Sequence, residues 1–169
     1  MNIMRRMRLV GLMALMVFGL ITMAAAPVAA AVFSNDKVAI SIADGWNKVD
    51  TPDGLIGQWC IDDCTAVFNI AYEKIPDGTS NVDYATQSVN QVTTLPGYKE
   101  LRRDFVTSGD DQAPRLDYLF EKDGTVLRAQ QVFLANGSDA YVLSFVTRAV
   151  DHSDYVDEVD TMVYSFTFA

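Results

Sequence analysis

The chain has 169 residues, 22 acidic and 13 basic side chains and a formal net charge of -9, which is length for one domain rather than two. Basic patches do most of the electrostatic work at phosphate backbones and anionic headgroups, so a chain this acidic argues against nucleic acid as a partner. One histidine, His152, and two cysteines, Cys60 and Cys64, are too few for most metal sites and catalytic triads.

Residues 1–31 differ from the rest. Arg5, Arg6 and Arg8 form a short positive head, Leu9 to Met23 is almost wholly apolar, and Ala29-Ala30-Ala31 fits the small-residue pattern of a cleavage site. The layout predicts a Sec-type export signal over 1–31, cleaved after Ala31 or nearby, and one domain over 32–169. An uncleaved anchor is the alternative, because Leu9 to Phe33 is long enough to span a bilayer. A lipid anchor needs a cysteine just after the cleavage site, and the first cysteine is Cys60, so lipidation is excluded. Without the signal the domain holds ten basic and 22 acidic groups, a net charge of -12.

Val38, Ile40 and Ile42 alternate in a first predicted strand over Lys37–Ile42, and Asp44-Gly45 turns the chain into Trp46. Leu55–Ile61 and Cys64–Ile75 read as a hairpin about Asp62-Asp63. Pro76-Asp77-Gly78 breaks the second strand. Ser80 then caps a helix with Asp83 completing an approximate capping box, and Val82, Ala85, Val89 and Val92 form its apolar stripe. Leu95-Pro96-Gly97 ends that helix. Tyr98–Thr107, Pro114–Lys122, Thr125–Leu134 and Ala140–Arg148 follow as a four-stranded meander, with Asp123-Gly124 and Asn136-Gly137 as tight turns. After Arg148 the period changes: Tyr155, Val156, Val159, Met162 and Val163 recur at helical spacing, capped by Asp151 or Ser153, and Phe166 and Phe168 close the chain in an extended piece. Strands, helix, strands, helix in this order predict an α+β fold, an antiparallel sheet flanked by helices.

Few residues carry chemistry. In an exported protein Cys60 and Cys64 are expected to form a disulfide, facing each other across the hairpin. Redox catalysis favours C-x-x-C at a helix N-terminus, whereas this is C-x-x-x-C between acids that raise thiol pKa. Zinc needs more soft ligands than His152 can add. The run Asp151-His152-Ser153-Asp154 collects triad residue types, but consecutive helix-start residues point in different directions and cannot relay a proton. The acidic pairs Asp50/Asp53, Asp62-Asp63, Asp110-Asp111 and Asp157-Glu158 read as solvated turn and helix residues. Trp46 and Trp59 are candidates to line a ligand groove, with core packing the favoured alternative. No catalytic residue, cofactor-binding residue or metal ligand is assigned.

The succession Val38 to Trp46, the helix with Asp83-Tyr84-Ala85, Leu95-Pro96-Gly97-Tyr98, Leu116-Asp117-Tyr118, Ala129 to Leu134, Ala140 to Phe145 and the closing Ser165-Phe166 resembles the exported PsbP-like and DcrB-like proteins. That resemblance implies an α-β-α sandwich and a non-catalytic role beside membrane-embedded assemblies. Photosynthetic members attach through an N-terminal extension and basic residues. This acidic domain, with only a few residues before Val38, departs from that pattern, and Cys60 and Cys64 lie outside it. The expectation is therefore an exported, non-enzymatic accessory or binding protein of the bacterial cell envelope, periplasmic or extracellular, acting on a protein partner or a small ligand. The alternative is an envelope hydrolase or thiol-redox protein using the acidic pairs or Cys60/Cys64.

Overall fold

The computed structural model describes residues 31–169. The export segment read from the sequence lies outside the described residues except for Ala31. Among the described residues ten strands form two antiparallel sheets, accompanied by two helices. β1 (Ala31–Ser34), β2 (Val38–Ile42) and β10 (Thr167–Phe168) form a small sheet in the order β1-β2-β10. The large sheet contains β3 (Asn47–Lys48), β4 (Leu55–Ile61), β5 (Ala66–Lys74), β6 (Lys99–Ser108), β7 (Asp111–Lys122), β8 (Thr125–Asn136) and β9 (Asp139–Arg148), ordered β3-β4-β5-β9-β8-β7-β6. The meander β6 to β9 is local, whereas the β4–β5 hairpin reaches across it to pair β5 with β9 along nine residue pairs.

Helix α1 (Asn81–Val92) packs on β7 and β8, and helix α2 (His152–Tyr164) packs against β2, β6 and β9. Strand side chains point alternately to two faces, so the large sheet serves two cores. Tyr141, Leu143 and Phe145 of β9 face α2 and the small sheet, while Ala140, Val142 and Val146 face α1. This is the α+β architecture expected, with one difference. The expected single sheet is two, because the buried Val38, Ile40 and Ile42 face of β2 lies over the α2-side core and its edges pair with β1 and β10 instead of extending the main sheet.

The local chemistry behaves largely as read. Ser80 Oγ accepts from the Asp83 amide at 3.1 Å and donates to the Asp83 carboxylate at 2.8 Å. Asp123 and Gly124 both take positive φ, 50° and 76°, as a two-residue turn between Lys122 and Thr125 requires. Three readings are corrected. Val82 is half exposed, and Tyr84 takes its place in the buried stripe, its hydroxyl donating to Glu73 at 2.7 Å. The last hairpin turns on Gly137-Ser138, since Asn136 pairs with Asp139 inside the ladder. Asp151 occupies the N-cap of α2 without a side-chain cap bond, its carboxylate being engaged by Arg148.

Candidate functional site

Seven strands spaced about 4.8 Å apart make a sheet roughly 29 Å wide, and a helix with its side chains covers only about 10–12 Å. One helix therefore cannot roof a face. Because α1 sits on β7 and β8, the flank of β6 on that face is left uncovered. Cross-strand partners share a face, so Phe105 opposite Pro114 and Arg103 opposite Leu116 stand on the α1 side. A cavity of about 220 Å³ runs between them and the helix, lined by Val82, Ala85, Val89, Phe105, Pro114 and Leu116, with Arg103 on its wall. Phe105, Val82 and Leu101 are 57%, 50% and 42% exposed.

On the opposite face β6 meets a charged lattice. Asp104 accepts two bonds from the Arg115 guanidinium, at 2.8 and 2.7 Å, and lies 3.0 Å from Arg102 Nε. Arg115 also reaches Asp160 of α2 at 3.6 Å, and Gln130 Nε2 donates to the same carboxylate at 2.8 Å. Arg115 is buried, so this lattice fixes β7 and β8 against α2 and leaves Arg115 no freedom toward a ligand. Arg103 instead pairs with Glu100 on the exposed strand, which holds the Glu100 carboxyl below its usual range.

The second concavity lies at the tip of the β4–β5 hairpin. It measures about 400 Å³ and is lined by Asp63, Cys64, Thr65, Lys122, Asp123, Thr125, Leu127 and Arg148. The hairpin corrects the sequence reading of the cysteines. Cys60 pairs across the ladder with Val67, and Cys64 lies in a four-residue turn whose Asp62, Asp63 and Cys64 all have positive φ, 48°, 55° and 64°. That left-handed run folds the turn back over its own strand and brings the two Cα atoms to 4.6 Å, with the sulfurs at disulfide distance. Tyr155 of α2 donates to the Asp62 carboxylate at 2.9 Å, tying the tip to the helix.

Trp46, Trp59 and His152, also singled out in the sequence, are core residues. Trp46 is buried, edge-on to Phe68, Phe145 and Tyr155, and donates its indole N–H to Glu158 at 2.9 Å. Trp59 is buried against Phe33 and Phe68. Neither lines either cavity. His152, read as a helix-start polar residue, is buried against Phe145. Burial first, then the Arg128 charge, lowers its pKa. Among the described residues no group of three or more His, Cys, Asp or Glu is placed to hold a metal ion, and no helix is long and apolar enough to cross a membrane.

With this geometry in view, comparison with solved structures identifies the fold. Cyanobacterial PsbP from Synechocystis matches 89% of the chain and 99% of its own length, with a TM-score of 0.58 at 14% identity. The chain has the PsbP-like fold. LpqN of Mycobacterium tuberculosis, described as involved in cell envelope biogenesis, matches 85% of the chain and 90% of its own length, with a TM-score of 0.63 at 13% identity. A Bacteroides thetaiotaomicron protein matches 78% of the chain at 15% identity and a TM-score of 0.59, and the match spans only 45% of that longer protein. No family model and no curated protein matches the chain. At these identities the likeness is one of fold, and the exposed β6 flank is a property of this chain's own residues.

The sequence reading missed β6 as the site. A signal was present: Lys99-Glu100-Leu101-Arg102-Arg103-Asp104 places five charges in six residues of a predicted strand. That density fits an edge strand, which charged side chains guard against further pairing.

Proposed function

We propose that the chain is exported through the Sec route, loses residues 1–31 and works in the bacterial envelope as a non-catalytic accessory protein that binds a protein partner through β6 and the groove beside α1. One observation carries this reading: a ten-residue strand ends the large sheet with no strand on its outer side among the described residues, next to an apolar groove and three exposed large apolar side chains. Such patches mark interaction sites on otherwise polar surfaces. The fold shared with LpqN, described as involved in envelope biogenesis, supports the compartment. The test is crosslinking in the envelope followed by co-purification, comparing the wild type with Phe105→Glu. Recovery of a protein with the wild type and its loss with Phe105→Glu is expected; recovery of the chain alone from every preparation contradicts the proposal.

A small-ligand reading is favoured by the 400 Å³ cavity at the hairpin tip, which is of ligand-pocket size and carries both signs of charge. It predicts that Arg148→Ala alters the bound species in native mass spectrometry. A thiol-redox reading requires Cys60 and Cys64 to react, which counting accessible thiols in the exported protein decides.

A further inference from the structure

The two ends of the large sheet are treated differently by the chain. β3, at one end, is two residues long. β6, at the other, is ten residues long, with a burial pattern that keeps Lys99 to Thr107 at the surface or half-buried. In a strand of this length about half the backbone N–H and C=O groups point away from the neighbouring strand, and at an edge they are free to pair. The edge is also anchored. Ser108 Oγ donates to the Val163 carbonyl at 3.0 Å, and the amide of Gly109 donates to the Tyr164 carbonyl at 2.9 Å, so the end of α2 clamps the end of β6. A strand held in place before binding spares a partner the cost of ordering it.

Charged residues on an edge often guard it against aggregation, and the bulge between Glu100 and Arg102 serves the same end. A purely guarded edge does not carry Leu101 and Phe105 in the open. The charge itself is directional: Lys99, Arg102 and Arg103 outnumber Glu100 and Asp104, on a domain whose net charge is -12. The pairs Arg103–Glu100 and Arg102–Asp104 are exposed, with side chains 37–52% accessible. Exposed pairs contribute about 0–1 kcal/mol, so an incoming carboxylate can replace the internal one at little cost.

We infer that β6 grips its partner as an eighth strand: an extended segment pairs its backbone with the outer edge of β6 and, on the face shared with α1, presents an apolar residue to Phe105 and Val82 and an acidic residue two positions away to Arg103. Phe105 and Arg103 are two residues apart on one face of β6, and side chains on an added strand repeat with that same period. The occupant is therefore an extended peptide segment in which acidic and apolar residues alternate on one face. This deepens the protein-partner reading above and rests on it.

The test is fluorescence anisotropy of a labelled peptide, Thr-Glu-Thr-Val-Thr-Glu-Thr, titrated with the protein purified after export. Saturable binding is expected. It weakens by about tenfold or more, some 1.4 kcal/mol, when both Glu of the peptide become Lys and when alternate peptide nitrogens are methylated. Phe105→Glu and Arg103→Glu in the protein weaken it similarly, while Asp123→Asn at the far hairpin leaves it unchanged. Both β6 positions are exposed, so these variants keep the wild-type melting curve, checked by circular dichroism. The inference is overturned if no saturable binding occurs, if the methylated or the Lys peptide binds as tightly as the parent, or if sedimentation shows a dimer that Phe105→Glu dissociates, which assigns the edge to a second copy. Should the envelope partner still depend on Phe105 while the peptides fail, the accessory reading stands and strand addition falls.

Discussion

Replacing Trp46 separates a core residue from a groove residue. The residue is 6% exposed, and its ring meets Phe68, Phe145 and Tyr155 edge-on, with ring centres 6.5, 6.2 and 6.3 Å away. Truncating a large buried aromatic costs about 3–5 kcal/mol, and three aromatic neighbours left facing a void place Trp46→Ala near the upper end. Trp46→Phe keeps most of that packing and loses the indole N–H bond to Glu158. Glu158 is exposed and turns to water, so this change costs only about 1–2 kcal/mol. A domain of this size is stable by roughly 5–15 kcal/mol, so Trp46→Ala removes a large share and Trp46→Phe a small one. Urea denaturation followed by far-ultraviolet circular dichroism measures both. A loss below about 1 kcal/mol for Trp46→Ala, or a partner defect in a Trp46→Phe protein of near-normal stability, refutes the reasoning and returns Trp46 to a ligand groove.

Other predictions follow from single contacts. The protein purified without reductant resists thiol alkylation until reduced, and a Cys60→Ala/Cys64→Ala variant loses no more than about 2 kcal/mol, because so short a loop removes little chain entropy. Limited proteolysis then cuts it first at Asp62-Asp63, the left-handed turn. Gly109→Ala destabilises more than Gly124→Ala: both have positive φ, but a Cβ at 109 sits 2.5 Å from the Phe166 carbonyl oxygen and one at 124 meets nothing within 4 Å. Thermal melting of the two variants ranks them. His152 has a folded pKa below 6.5, so the unfolded chain binds more protons in that window and stability falls as pH drops from neutral below 6.5. His152→Phe flattens that part of the urea-midpoint profile, and an unchanged slope overturns the assignment. Asp139, whose pKa is lowered first by Lys74 and then by Tyr72 and Lys37, adds a separate loss once pH falls below about 4.

What could be read in the sequence was what neighbours along the chain decide. Ser80 and Asp83 form a cap within one turn, Asp123-Gly124 closes a two-residue hairpin, and Val38, Ile40 and Ile42 show their buried face by alternation alone. The misses come from distance in sequence or from conformations that residue type does not announce. β1 was hidden because Ala31, Val32 and Phe33 continue the apolar run that begins at Leu9, and pairing with β2 is what marks them as a strand. The separation into two sheets depends on β2 meeting β10, more than a hundred residues later. Tyr84 joins the buried stripe because Glu73 receives its hydroxyl, a contact that helical periodicity does not show. Cys64 reaches Cys60 through three left-handed residues, none of them glycine. The candidate site was hardest to see, since dense charge, the pattern that marks β6 as an edge, is also the pattern of an ordinary solvated surface.

The central claim is that this chain works by holding a protein along β6, and site-specific photo-crosslinking in the envelope tests it most directly. A photoreactive amino acid placed at 105, on the exposed flank of β6, is compared with one at 123, in the exposed turn at the hairpin-tip cavity. The account predicts a discrete protein adduct from position 105 that is absent from position 123. An adduct from 123 alone, or none from 105 under conditions that label other envelope proteins, contradicts it.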